Sequence, residues 1–574
     1  MYQEKYQEWL HNPTFDEATK AELRALTDEK EIEDRFYREL SFGTAGMRGV
    51  LGAGSNRMNL YNVRRATKGV AHYLKQDKTL AERGVVIAYD SRRNSDLFAK
   101  QTALVLCANG VKAYLFDALR PVPVLSYALR HLKAAAGVVI TASHNPPQYN
   151  GYKLYAEDGA QIGPEIANVV TAEIQKLRYE ECLPMDEQEA IEKGLLQIIG
   201  NREVDDDYIR MLHTLVVDED VLKKEGKDFK IVYSPIHGSG NVPVRRILKE
   251  IGIANVSVVK EQEAPDSNFS TVKVPNPEEA DTFTLAIKLA NEVGADCAFA
   301  TDPDCDRLGV AVRNARGEFV LLNGNQIACI MLYYILSTKQ AKNSLPANGA
   351  MVKSIVSTEL ARKIADSFDV ATFETLTGFK YIGEKIQQFE ESGSHHFLFG
   401  FEESYGYLSG TEVRDKDAVN ASMLIAEAAC AYKAKGKTLY DALHEIYEKY
   451  GYYKDKVVSI TLPGKDGSEK MKTLMDKLHS SSPAEIGGLK VLAARDYLSG
   501  IRKDLQTGSE VHMGLPESDV LYYELEKGNW VCVRPSGTEP KIKLYINANE
   551  TTEAGVDALI KTLSEAASAM LSAS

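Results

Sequence analysis

One pattern recurs along this chain and limits what it can become: a short apolar run, then a polar loop, then a stretch of helical periodicity. GVVIAYDSRRNS begins at Gly84, AGVVITASHNPP at Ala136, KIVYSPIHGSG at Lys230, ADCAFATDPDCDR at Ala295 and HHFLFGFEESYGY at His395. Short β-rich runs alternating with helical periodicity predict α/β units on mixed or parallel sheets. In such sheets functional loops lie beyond the carboxyl ends of strands. Every candidate motif here begins directly after an apolar run.

At about 150 residues per domain, 574 residues suggest about four domains. The acidic stretch Asp205 to Asp207 separates residues 1–204 from 205–322, and the span Gly317 to Gly324 closes the second part. The aromatic cluster YEKYGYYKDK near Gly451 divides 323–452 from 453–574. The last part contains NWVCVRPSGTEPKIKLYINA, two expected strands around a turn, and then an alanine-rich helix. That predicts a small α+β unit.

A net charge of −13 excludes a general attraction for nucleic acid or anionic membrane. MYQEKYQEWLHNP has no apolar core of the signal-peptide kind, and IACIMLYYIL from Ile327 is too short to span a bilayer. The seven cysteines are scattered, without a C-x-x-C pair, which suits a reducing cytoplasm and argues against a cysteine zinc site.

TDPDCDRLGV places Asp302, Asp304 and Asp306 at alternate positions. In an extended segment these carboxylates would share one face and repel unless a cation sat among them, and Mg²⁺ prefers such hard oxygen ligands. An EF-hand loop fails, because its sixth and twelfth positions would be Arg307 and Arg313 instead of Gly and Glu. In TASHNPPQYNGYK, Ser143 lacks a GxSxG frame, with His144 and Lys153 as candidate bases. It is either a turn hydroxyl or a phosphoryl carrier facing the metal site. RPSGTEPKIK offers Arg534, Ser536, Gly537 and Thr538 to a phosphate, and FGTAGMRG offers backbone and Arg48. GFEESYGY offers Glu402 and Ser404 to sugar hydroxyls. GFKYIGEK has Glu384 where a P-loop needs lysine. His237 and the pair His395 and His396 are read as structural.

TASHNPPQYNGYK, DPDCDRLG, GFEESYGY and RPSGTEPKIK, in that order, resemble the four active-site loops of the α-D-phosphohexomutase superfamily. With FGTAGMRG and TLTGFKYIGEK, the chain is most similar to its phosphoglucomutase/phosphopentomutase branch, from about Phe42 to Tyr545. The resemblance implies a heart-shaped molecule: three related α/β domains with mixed sheets and a smaller C-terminal α+β domain. It implies a cytoplasmic isomerase, monomer or dimer, acting on hexose phosphates. Glucose 1-phosphate and glucose 6-phosphate would interconvert through phosphorylated Ser143, with glucose 1,6-bisphosphate as intermediate and activator. Asp302, Asp304 and Asp306 would hold one Mg²⁺ with the Ser143 oxygen. Arg307, Arg48 and His144 would stabilise the transferring group, and Lys153 would shuttle the proton. Glu402 and Ser404 would read the sugar, Lys380 and Lys416 would approach it, and Arg534, Ser536, Gly537 and Thr538 would hold the other phosphate. The sugar loop lacks the Gly-His ending of bacterial phosphomannomutase/phosphoglucomutases, which implies glucose over mannose. A mutase for pentose 1-phosphates, a glucose 1,6-bisphosphate synthase and a non-catalytic sugar-phosphate sensor are the other readings.

Overall fold

The computed structural model of the chain describes residues 2–43, 46–461, 467–535 and 541–572. They fall into two compact units: Met1–Ile327 with Phe379–Leu439, and Ala328–Gly378 with Tyr440–Ser574.

The first unit opens with a mixed sheet of β1 (Gly46–Val50), β2 (Val85–Tyr89), β3 (Ala113–Phe116), β4 (Ala136–Ile140), β5 (Tyr149–Ala156) and β6 (Leu196–Ile199), in the order β1-β5-β4-β2-β3-β6. β2 is parallel to β3 and β4, whereas β5 runs antiparallel to both β4 and β1. AGVVI is buried along its whole length, as a central strand covered on both faces requires. Gly46 admits the edge strand: a Cβ there would lie 1.9 Å from the Tyr152 carbonyl, at a φ of +126°. No other residue fits so close a backbone approach. A second mixed sheet repeats the plan with β7 (Lys230–Ser234), β8 (Asn255–Val258), β9 (Cys297–Thr301), β10 (Leu308–Arg313) and β11 (Phe319–Leu322), ordered β11-β10-β9-β7-β8.

β12 (Gly349–Ser354) and β13 (Ala371–Thr375) form a parallel pair in the second unit. β14 (His396–Glu402) and β15 (Gly406–Leu408) form an antiparallel pair in the first. The C-terminal sheet is antiparallel. Its strands are β16 (Tyr452–Thr461), β17 (Glu485–Ile486), β18 (Leu489–Asp496), β19 (Ile501–Asp504), β20 (Glu510–His512), β21 (Leu521–Leu525), β22 (Trp530–Pro535) and β23 (Lys541–Glu550). Helix Glu553–Ser572 follows, giving the expected α+β unit. Within the second compact unit buried Lys353 pairs with Glu359 and Glu374, and Arg495 of β18 ties Glu374 to Glu524 of β21. Against the cost of burial, Lys353, Arg495 and Arg362 pull Glu374 down to about 2.

The expectation of a helix after every loop holds after β2 and β7, where helices Ser95–Ala108 and Asn241–Glu250 follow. It fails after β4, β9 and β14, where the chain returns at once as β5, β10 and β15. YNGYKLYA and LGVAVR are short and rich in aromatic or β-branched residues, which suit a pleated, buried surface. All seven cysteines are buried. No helix among the described residues is long and apolar enough to cross a membrane.

Asp417 caps helix Ala418–Lys433 by accepting from the Asn420 N–H and also takes the Tyr208 hydroxyl, each at 2.9 Å. Burial, opposed by these hydrogen bonds, pushes its carboxyl up to about 6. The folded chain therefore binds this proton more tightly than the unfolded one, whose aspartate titrates near ~3.9. The group's stabilising contribution is complete below about pH 4 and is lost as pH rises through about 6. D417N, which cannot ionise, is expected to gain stability relative to wild type between about pH 4.5 and 7.5, on the order of 1–3 kcal/mol. Unfolding midpoints of both proteins across that range check this; a pH-independent difference would refute it.

Candidate active site

Three motif loops occupy equivalent places, each the turn of an antiparallel strand pair: residues 141–148 after β4, 302–307 after β9 and 403–405 after β14. Each contains one non-glycine residue in the left-handed region: Ser143 (φ 52°), Cys305 (φ 52°) and Tyr405 (φ 65°). Such conformations cost of order 1–3 kcal/mol and persist only where the surroundings impose them.

The loops after β4 and β9 meet at a buried carboxylate cluster. Ser143 Oγ donates to Asp302 Oδ2 at 2.9 Å and lies 3.2 Å from His144 Nδ1. Lys153, on β5, donates to Asp304 Oδ2 at 2.8 Å and stands 3.8 Å from Asp306. Lys416 reaches Asp306 at 3.1 Å and Asp415 at 3.0 Å. Asp415 also accepts from the Tyr155 hydroxyl at 2.8 Å. Arg307 pairs with Glu278 at 2.6 Å, and its Nε is 3.9 Å from Asp306. Arg48, on β1, donates to Asn145 at 3.0 Å.

Burial and then the charges of Asp304 and Asp306 push the Asp302 carboxyl well above the usual carboxylate range. Burial and Asp304 raise Asp306 as well. Asp304 goes the other way: burial opposes its charge, but Lys153 beside it holds it below the ordinary value. Burial, then Arg307 and Arg48, push His144 well below the usual imidazole value, so it is neutral near pH 7. Lys416 is held above the ordinary lysine range by Asp306 and Asp415 against the cost of burial.

The donor set fits a hard cation. One oxygen each of Asp302, Asp304 and Asp306 can be chosen within 4.8 Å of one another. Asp304 Oδ1 and Asp306 Oδ1 are buried without a hydrogen-bond partner among the described residues. Unpaired buried carboxylate oxygens are costly, and a bound cation satisfies them. Burial keeps the intervening Cys305 thiol protonated, and a thiol is a poor ligand for such an ion. The three aspartates converge by a different route from the one expected. Residues 302–307 form a turn instead of an extended segment, and the Cys305 conformation brings the side chains together.

Glu402 is the buried last residue of β14, and its charge acts on both Lys416 and Arg307. Ser404 lies in the turn that follows, and Lys380 in the first turn of helix Phe379–Ser392 with its ammonium 5.0 Å from the Tyr381 ring centre. Neither hydrogen-bonds to the carboxylate cluster among the described residues. Arg534, in register with Lys543, is near the end of β22 in the second unit. Ser536, Gly537 and Thr538 lie outside the described residues. His237 is held by the Ala264 carbonyl and the Thr271 hydroxyl, each at 2.9 Å, as a structural histidine would be.

Sequence reasoning missed Glu278, Asp415, Tyr155 and the pair Asp90 and Arg92. Only the last pair carried a signal: DSRRNS sets opposite charges at the very end of an apolar strand.

Four family models match in sequence. The phosphoglucomutase/phosphomannomutase α/β/α domains I, II and III cover residues 39–181, 206–317 and 323–450, and the C-terminal domain covers 489–559. A phosphoglucomutase of Staphylococcus haemolyticus is 39% identical over 518 residues, 90% of this chain and 92% of that one. A phosphoglucomutase of Staphylococcus aureus is 38% identical over 520 residues, 90% and 91% of the two chains. The fold is shared with parafusin, a phosphoglucomutase from Paramecium in its open form (TM-score 0.69, 18% identity, 92% and 94% of the chains). It is also shared with a phosphoglucomutase/phosphomannomutase family protein of Burkholderia thailandensis (TM-score 0.65, 18% identity, 92% and 97%). Fold and matches together define a sugar-phosphate isomerase of four-domain α/β architecture. The chain belongs to the phosphoglucomutase/phosphomannomutase family of the α-D-phosphohexomutase superfamily.

Gly406 makes room for Lys416: a Cβ at 406 would lie 2.1 Å from Lys416 Cδ. G406A is expected to push the Lys416 ammonium off Asp306 and lower kcat roughly 10- to 100-fold, as an ångström-scale displacement does. Steady-state kinetics with a melting curve as the folding control test this, and an unchanged kcat would show that the placement of Lys416 is dispensable.

Proposed function

We propose that this enzyme interconverts glucose 1-phosphate and glucose 6-phosphate with phosphorylated Ser143 as the phosphoryl carrier. One observation carries the reading: Ser143 Oγ lies 2.9 Å from Asp302, within a carboxylate cluster ringed by Lys153, Lys416 and Arg307. A serine meant only to cap a turn needs no such surroundings.

A sugar hydroxyl attacks the phosphorus on Ser143; the sugar O–P bond forms and the bond to Oγ breaks. Lys153 is the assigned shuttle, carrying the hydroxyl proton to Oγ. The bisphosphate then turns, and its other phosphoryl group passes to Ser143 while the proton returns to the leaving sugar oxygen. No net proton is released. Arg48 and Arg307 offset charge on the moving group. Neutral His144, beside Oγ, orients it without adding a competing charge. Asp302, Asp304 and Asp306, with the Ser143 oxygen, would hold Mg²⁺, which when bound offsets charge on phosphoryl oxygens. Glu402 and Ser404 are assigned to the sugar hydroxyls, and Lys380 and Lys416 to the approaching substrate. Arg534, Ser536, Gly537 and Thr538 are assigned from sequence to the phosphate that is not transferred, and glucose 1,6-bisphosphate to recharging the enzyme. The division into residues 1–204, 205–322, 323–452 and 453–574 is part of the same reading, supported by the four matched ranges.

Protein purified without phosphatase is expected to carry phosphate on the Ser143 peptide, lost on adding sugar monophosphate and Mg²⁺. S143A should bind sugar phosphate yet turn over at a negligible rate. A near-normal rate in S143A with added glucose 1,6-bisphosphate would sink the carrier role. Mg²⁺ at about 100 times its Kd should stabilise wild type by about 2.7 kcal/mol. In D304N that gain should largely vanish, and an equal gain in both proteins would place the ion elsewhere.

A further inference from the structure

Tyr89 and Ile140 are register partners in parallel strands, so the loops after β2 and β4 leave the sheet side by side. Arg92, in the first of these loops, turns its guanidinium under the second. Nη2 donates to the carbonyls of Ser143, at 2.5 Å, and Asn145. Nη1 donates to Pro146 at 2.9 Å and Tyr149 at 3.0 Å. The four hydrogens on its two terminal nitrogens thus match three carbonyls of that loop and one at the start of β5, and the side chain has no exposed surface. Asp90 clamps the same loop from its other end. It accepts from the Thr141 hydroxyl at 2.6 Å, and that hydroxyl accepts from the Ser143 N–H at 2.8 Å. The Phe269 ring covers the guanidinium, 5.0 Å away.

We propose that Arg92 is a positioning residue for phosphoryl transfer: it gathers the carbonyls of residues 143–149 onto one buried cation and so holds Ser143 in its left-handed conformation with Oγ at Asp302. The proposal rests on Ser143 being the phosphoryl carrier. A serine at φ 52° relaxes unless its neighbours prevent it. The Ser143 carbonyl is bound by Arg92 and its N–H by Thr141, so the peptide groups on both sides are fixed. Only a planar fork can meet four carbonyls in this way. Lysine brings the charge on a single nitrogen with three donors and cannot replace it. Among the described residues Arg92 hydrogen-bonds to no group assigned to the sugar, so its loss should spare sugar binding.

R92K keeps the buried charge and is the variant expected to fold; R92A is the harsher companion. We expect R92K to lower kcat about 100-fold, the scale of an ångström-sized misplacement of a reacting group. Its KM for glucose 1-phosphate should stay within about threefold, and phosphorylation of Ser143 by glucose 1,6-bisphosphate, followed by mass spectrometry, should slow in parallel with kcat. A kcat near wild type would overturn the proposal. So would a loss of activity that merely tracks the folded fraction in a melting curve, or a rise in KM equal to the fall in kcat. Wild type is charged in the same experiment. If its Ser143 takes no phosphate, the carrier reading itself fails and the proposal falls with it; if wild type charges and R92K charges equally fast, only the Arg92 role fails.

Discussion

The site is organised by one electrostatic constraint: Asp302, Asp304 and Asp306 are nearly inaccessible to water and offer oxygens within 4.8 Å of one another. At an effective dielectric of about 20, two unit charges some 4–5 Å apart repel by roughly 3–4 kcal/mol. A turn carrying three of them is tenable only if positive charge is brought to it. Lys153 comes from β5, Lys416 from the segment after β15 and Arg307 from the turn itself. Gly406 is needed because the Lys416 stem occupies the place of its side chain, and Gly46 because β1, which bears Arg48, lies against Tyr152.

Much of this was legible in sequence because the chemistry is local. Ser143 with its turn formers, the three aspartates and Glu402 at a strand end each lie within a few residues of an apolar run, and that run fixes them at the carboxyl edge of a sheet. The α/β class followed from the same runs. The returns through β5, β10 and β15 did not: periodicity over six or eight residues separates strand from helix poorly, and the neighbouring strand makes the decision.

The contacts that were illegible join residues far apart in the chain. Nothing near Lys416 announces Asp306, and nothing near Arg307 announces Glu278. The alternate spacing of the aspartates pointed to the right cluster through the wrong geometry, since a turn with Cys305 in the left-handed region replaces the extended segment. Arg92 is a further kind of case. Its charge at the end of β2 was visible, but its partners are backbone carbonyls, which no side-chain pattern encodes.

The shifts within the cluster argue that it is short of positive charge. Lys153 satisfies Asp304 and depresses it, while Asp302 and Asp306 hold protons more tightly than ordinary carboxylates. Among the described residues, Asp304 and Asp306 each keep one buried oxygen without a hydrogen-bond partner. A purely structural cluster of this size would be expected to balance its charges, as Glu374 does with Lys353, Arg362 and Arg495. Both Glu374 oxygens lie within 3.2 Å of a cationic nitrogen, whereas the cation facing Asp306 Oδ1, Arg307 Nε, stands 3.9 Å away. That contrast within one chain sets a network closed by its own cations beside one that still has carboxylate oxygen to offer a cation.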